Sequence, residues 1–331
     1  MKYSGIIVEE HKNGISSLNN SRKNLPVKKK LNYNFSTFFA PLDIATIFYI
    51  LISGIYLCFG ISKLDNVLPH FVLRLVGLSI IVGICYLNQK YSGHFIGLLK
   101  SIYPMLFLSF FYFETAYLKN IIFSNNFDPY IVRAEQWLWG CQPSIEFANF
   151  MPHHWFNEFM NICYFSYFPL IWAVGIVVYF GKKQHCYRSI FTIIFSFYMY
   201  YMLYDIIPVI GPQFHFNTFN IECHPPHFFG KLMHYILTNL EKPTGAFPSS
   251  HAGIALIISY ILYKQIRVLF YYSLPFVLGI CFATVYIQEH YLIDIFAAIL
   301  TVPIFITVSG FVYDKLYVYL RLKQGSKKAL V

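Results

Sequence analysis

Two histidines and an aspartate carry most of the chemical information in this 331-residue chain. His251 stands in "GAFPSSHAG" (245–253), a small, polar, proline-bearing run just ahead of an apolar helix pattern. His290 and Asp294 stand in "EHYLIDIFAA" (289–298). Spaced four apart, they share one face of a helix, one turn from each other. A carboxylate held against an imidazole fixes its tautomer and raises its basicity. Asp294 also falls inside an apolar run, where an ionisable side chain is costly unless paired. Ser249 or Ser250 is a natural N-cap, so His251 should open a helix. The unpaired N–H groups of a helix start, with the positive end of its dipole, form an anion site. Ser249 is therefore either a cap alone or a cap that also touches phosphate. Two imidazoles, a carboxylate and such a helix start suit phosphoryl transfer. One imidazole attacks phosphorus and the other protonates the leaving oxygen, while N–H groups and cations stabilise the transition state. No metal and no cofactor is needed for that chemistry.

The elements that must position these residues are membrane helices. Apolar side chains make up 57% of the chain and charged ones 12%, about half the ~25% of a soluble domain. Eight apolar stretches are candidate spans: 42–62, 70–87, 101–118, 161–181, 189–208, 250–263, 268–287 and 292–313. Most have the ~20 residues that a ~30 Å hydrocarbon layer requires. The sixth is short, which predicts that His251 sits recessed below the surface at a depth similar to His290. The expected fold is all-α: a polytopic membrane bundle of about eight transmembrane helices. Residues 1–40 are polar and basic, with no signal-peptide core, and are expected to form a disordered cytoplasmic tail. Residues 314–331 form a second basic tail.

The net charge of +10 maps to topology and not to nucleic acid. With both termini cytoplasmic, inside segments hold 19 of the 25 Lys and Arg, outside loops hold five, and Arg74 lies in a span. This asymmetry obeys the positive-inside rule, and the "KKK" at 28–30 suits anionic lipid. The two long loops, 119–160 and 209–249, then face away from the cytoplasm. "DPYIVRAEQWLWG" in the first predicts an interfacial amphipathic helix, with Trp137, Trp139 and Trp155 at the membrane–water boundary. Glu135 and Glu158 read as surface charges. Arg74 and Glu114 read as a buried pair between spans. Seven cysteines are scattered with no CxxC. Cys141 and Cys223 lie in polar loops where pairing is open, and Cys223, His224 and His227 are too few for a structural zinc site.

"PSSH" followed some forty residues later by "HYLID" resembles the type-2 phosphatidic acid phosphatase superfamily. The resemblance is closest to its inositol-phosphorylceramide synthase branch, is specific over roughly 200–300, and is looser over 128–170. It implies a six-helix catalytic core within 101–313, with residues 41–100 as two added helices. It also implies that His290 is the nucleophile, that Asp294 orients it and that His251 is the general acid. Gln213, in the turn "GPQFHF", stands where relatives often carry an arginine. The chain departs from the phosphatases of that superfamily in two places. It has no Arg-Pro, and Ala283 and Thr284 replace the Ser-Arg that opens their third motif. Two phosphate-binding arginines are thus missing. Their loss should hurt a dianionic monoester more than a monoanionic diester. Lys242, Lys231 or His215 are the candidate replacement cations. The expected activity is transfer of a phospho-alcohol headgroup, such as phosphoinositol, from a lipid to a lipid alcohol. The alternatives are a lipid phosphate phosphatase, with water as acceptor, and, from another class, a membrane transporter. The candidate substrate-binding residues are Lys242, Ser249, Ser250 and Gln213. Oligomeric state has no signature in the sequence.

Overall fold

A computed structural model describes residues 38–91, 94–172, 183–217 and 227–328. The expectation for the basic N-terminal tail falls outside the described residues except at 38–40, and that for a Cys141–Cys223 bond falls outside them through Cys223. So do Cys223 and His224 of the weak metal candidate.

The described residues are all helix and loop. The helices are α1 (Pro41–Phe59), α2 (Leu68–Lys90), α3 (His94–Leu118), α4 (Asp128–Trp139), α5 (Pro143–Phe150), α6 (His154–Phe165), α7 (Lys183–Ile206), α8 (Pro212–His215), α9 (Phe228–Leu240), α10 (Ser250–Gln265), α11 (Arg267–Tyr286) and α12 (Leu292–Lys328). Six are long and apolar enough to cross a membrane: α1, α2, α3 from Phe95, α7 from Tyr187, α11, and α12 as far as Lys323. They coincide with six of the eight expected spans. The candidate 161–181 runs into residues outside the description, and 250–263 is α10, only 16 residues long. At 37 residues, α12 extends about 55 Å, well past the hydrocarbon layer.

Local chemistry sets the helix ends. Pro41 occupies the first turn of α1, and the Asp43 carboxylate takes the Ala40 N–H at 2.7 Å, the N-terminal half of a capping box. Pro129 sits in the first turn of α4, and Gly140 ends it at φ 70°, the left-handed C-cap that glycine adopts freely. Trp137 is exposed beside the half-buried face of α4.

At the centre lies α10. It packs against α11, α12 and α7, and Ala252, Ile254, Ala255, Ile257 and Ile258 are fully buried. A Cβ on Gly253 would fall 1.7 Å from the Tyr200 hydroxyl, so only glycine lets α7 approach the first turn of α10. The outer helices hold a buried ion pair. Arg74 Nη1 and Nη2 reach Glu114 Oε1 and Oε2 at 2.6 and 3.1 Å, and His70 Nδ1 meets Glu114 Oε1 at 2.7 Å. The forked contact satisfies both carboxylate oxygens, as an intramembrane carboxylate needs.

The surface reading of Glu135 and Glu158 is corrected. Glu135 is fully buried and accepts the Ile293 N–H at 3.0 Å. Glu158 is half-buried and accepts N–H groups of Phe229 and Gly230 at 2.5 and 3.0 Å. Each carboxylate satisfies the open N–H groups of another helix start, of α12 and α9 respectively.

Candidate active site

The first turn of α10 and the link between α11 and α12 bring His251 and His290 together. Their ring centroids are 5.4 Å apart, and His251 Nδ1 stands 3.1 Å from His290 Nε2. On its other side, His290 Nδ1 lies 2.7 Å from the carbonyl oxygen of Ala246. A carbonyl only accepts, so Nδ1 of His290 carries the proton and donates it. The lone pair of Nε2 therefore faces His251. Burial pushes His290 down to about 4, against Glu289 and the Ala246 carbonyl, which favour its charged form. At neutral pH the imidazole is an uncharged base.

Asp294 lies within range of the same nitrogen. Its Oδ2 is 3.4 Å from His290 Nδ1 and accepts the Tyr291 N–H at 2.8 Å. The spacing of four thus gives the expected juxtaposition, but the Ala246 carbonyl stands closer. Asp294 is also the third residue of α12 and reaches back to the residue ahead of the helix, as a capping-box acid does. Its Oδ1 is buried and has no partner among the described residues.

Ser249 is the N-cap of α10. Its Oγ accepts the Ala252 N–H at 3.2 Å, and its own N–H donates to the Asp294 carbonyl at 3.1 Å. This backbone bond ties the two motifs together. The Ser250 N–H donates to the Tyr204 hydroxyl at 3.1 Å. Gln213 is buried and its Nε2 donates to the Glu289 carboxylate, so it sits one residue from His290. Lys242 and Lys231 are exposed and His215 is half-buried.

Sequence reasoning passed over three groups. Asp128 is fully buried. It accepts N–H groups of Ile210 and Gly211, each at 3.0 Å, and the Tyr291 hydroxyl at 3.1 Å. Asp128 and Glu135 are seven apart, hence on one face of α4. Together they clamp the 210–211 turn and the start of α12. That spacing was readable in "DPYIVRAE". Gly211 makes the fit possible: at φ 92°, its Cβ equivalent would lie 2.7 Å from the Glu289 carbonyl oxygen. Glu289 is buried beside His290, and burial pushes it up to about 7, although His290 and Gln213 favour its ionised form. Tyr164, also buried, places its hydroxyl 3.1 Å from His251 Nε2.

The helices and this site define a multi-pass membrane protein that pairs two imidazoles at one end of a central helix. Comparison with protein families agrees: the PAP2 superfamily profile matches residues 129–308, more than half the chain, and the protein belongs to that superfamily. The matched segment holds α5 to α11, both motifs, most of α4 and the first part of α12. No curated protein and no solved structure matches the chain. Superfamily membership together with the membrane helices supports an enzyme acting on lipid phosphoesters.

Proposed function

We propose that this protein moves a phospho-alcohol headgroup from a lipid to a lipid alcohol through a phosphohistidine at His290. The observation that carries the proposal is the 3.1 Å approach of His251 Nδ1 to His290 Nε2, with the far nitrogen of His290 fixed by Ala246. The rings must part from this 3.1 Å contact to admit a phosphoryl group between them, which then meets a lone pair on one side and an N–H on the other. His290 Nε2 attacks phosphorus, and His251 protonates the leaving oxygen. The acceptor alcohol then gives its proton to His251 and takes the phosphoryl group from His290. Asp294 supports the imidazolium character that His290 acquires on bonding to phosphorus. The positive dipole end of α10 favours the anion, and the hydroxyls of Ser249 and Ser250 at that helix start are its candidate donors, their own N–H groups being bonded to the Asp294 carbonyl and the Tyr204 hydroxyl. Lys242 is the nearest loop cation in sequence.

A diester donor suits this pocket better than a monoester. The two arginines of related phosphatases are absent, and a buried carboxylate, Glu289, adjoins the nucleophile. Both features disfavour a dianion more than a monoanion. An apolar groove of about 590 Å³, lined by Phe127, Ile131, Ile207, Phe247 and Ile293 among others, borders both motif segments. It suits hydrocarbon. The distribution of Lys and Arg supports cytoplasmic termini and a reaction on the opposite face. Residues 101–313 form the catalytic core in this reading, with six spans, and α1 and α2 are additions to it.

The test is the acceptor. Purified protein given phosphatidylinositol plus ceramide or diacylglycerol is expected to form the transferred product. Hydrolysis of phosphatidic acid alone, with no transfer, would instead identify a phosphatase.

The pH dependence follows from two shifts. His290 must be unprotonated, so activity rises as pH passes about 4. Glu289 is neutral below about 7, and its ionisation above that repels the anionic substrate. The kcat/KM profile is therefore expected to be a bell with limbs near those values. Glu289→Gln should extend the plateau to higher pH. An unchanged alkaline limb in that variant contradicts the assignment.

A further inference from the structure

We infer that Tyr164 is a positioning residue for His251: its hydroxyl holds Nε2 of that ring and so keeps Nδ1 facing the nucleophile. The inference rests on the phosphohistidine reading for its consequences, but its geometry stands alone. The Ala246 carbonyl dictates a proton on His290 Nδ1, which leaves His290 Nε2 as an acceptor. His251 Nδ1, 3.1 Å away, must then be the donor. His251 Nε2 is left with a lone pair, and the group opposite it is the Tyr164 hydroxyl at 3.1 Å. One continuous polarity results: Tyr164 O–H to His251, His251 N–H to His290, His290 N–H to Ala246.

A tyrosine is suited to this place because His251 changes state during the cycle. At rest, Tyr164 donates to Nε2. When His251 takes up a second proton from water on Nε2, it is the imidazolium that protonates the leaving oxygen from Nδ1, and the Tyr164 oxygen accepts the new Nε2 hydrogen. After that transfer His251 is neutral with its proton on Nε2 and its lone pair on Nδ1, aimed at the phosphohistidine. It is then the base that takes the proton of the acceptor alcohol. A hydroxyl serves all three states because it both donates and accepts. A phenyl ring serves none of them.

Packing holds Tyr164 in place. It lies on α6, in a cluster with Met160, Cys163, Met233, Ala283 and Tyr286, and its ring centroid is 5.0 Å from that of His251. Tyr167 brackets the same imidazole at 4.5 Å. The titratable groups around His251 are Tyr164 and Tyr167 from the α6 side, His290 from the α11–α12 link, and Tyr204 from α7 by way of Ser250. Glu289 lies beyond His290, within electrostatic range of Tyr164.

The test compares Tyr164→Phe with Tyr286→Phe, a control that deletes another buried hydroxyl of the same cluster, one bonded to the Met151 carbonyl. Tyr164→Phe is expected to lower kcat about tenfold to a hundredfold, as for loss of a hydrogen bond to a charged group. Read in a Glu289→Gln background, where the alkaline limb of the kcat profile reports the His251 proton and not Glu289, it should also move that limb to lower pH, because the imidazolium has lost its acceptor. Tyr286→Phe should leave both unchanged. A Tyr164→Phe enzyme with wild-type kcat, or with reduced kcat and an unmoved limb, overturns the inference. ¹⁵N NMR of the wild-type protein gives a reading that no misfolded variant can obscure. It should find resting His251 protonated on Nδ1; protonation on Nε2 overturns the inference. That tautomer is independent of turnover, whereas failure of the phosphohistidine reading itself would appear as activity retained in His290→Ala.

Discussion

His290→Ala is expected to lower turnover by about four to six orders of magnitude, the scale on which loss of a covalent nucleophile acts. The expectation rests on what remains. Alanine leaves the start of α10, Ser249 and His251 in place, so the lipid anion still binds. No other base among the described residues faces His251 Nδ1 at hydrogen-bonding distance. Without a nitrogen lone pair, the reaction reverts to direct attack by an acceptor that His251 alone must activate. KM should change little, because His290 is neutral in the resting site and contributes no charge to phosphate binding. Steady-state assay of lipid product over a substrate series checks both halves. A kcat within tenfold of wild type contradicts the assignment.

Asp128→Ala is the second large effect, and it acts at a distance from the reacting atoms. The carboxylate accepts from Ile210 N–H, Gly211 N–H and the Tyr291 hydroxyl. Removing it leaves three buried donors unpaired, each costing about 1–3 kcal/mol. The expected loss of stability is about 3–5 kcal/mol, since some donors recover partners by relaxation. Catalysis should fall too. Gly211 touches the Glu289 carbonyl and Tyr291 follows His290, so loosening either displaces the nucleophile. A shift of about 1 Å is enough to slow such a reaction a hundredfold. Asp128→Asn keeps acceptor capacity and should fall between wild type and alanine. Thermal unfolding in detergent, read beside kcat, checks the pair. Full stability in Asp128→Ala contradicts this account of the clamp.

Long apolar runs marked the spans because a hydrocarbon solvent admits little else. The two motifs were legible because small polar residues, histidine and aspartate are costly in such a setting and stand out against it. Ser249 as cap and Arg74 with Glu114 followed from the same reasoning. The carboxylates of α4 escaped it. On an amphipathic helix, acids are ordinary on the wet face, and only tertiary packing decides that Asp128 and Glu135 turn inward to two open backbone segments. Tyr164 was hidden for a different reason. Among 28 tyrosines, nothing in local spacing marks the one whose hydroxyl reaches His251 Nε2 from another helix. Ala246 could not be read at all, since its part is played by a backbone carbonyl.

The central claim is a bond between phosphorus and His290 Nε2. The direct measurement is to mix purified protein with lipid donor and no acceptor, quench in alkali to preserve a phosphoramidate, and sequence the peptides by mass spectrometry. The account predicts the donor's phosphoryl group, with or without its alcohol, on the peptide bearing His290 and on that residue. Its loss on addition of acceptor, at the rate of turnover, completes the prediction. An active preparation that carries the adduct on a different residue, or turns over with none on His290, contradicts it.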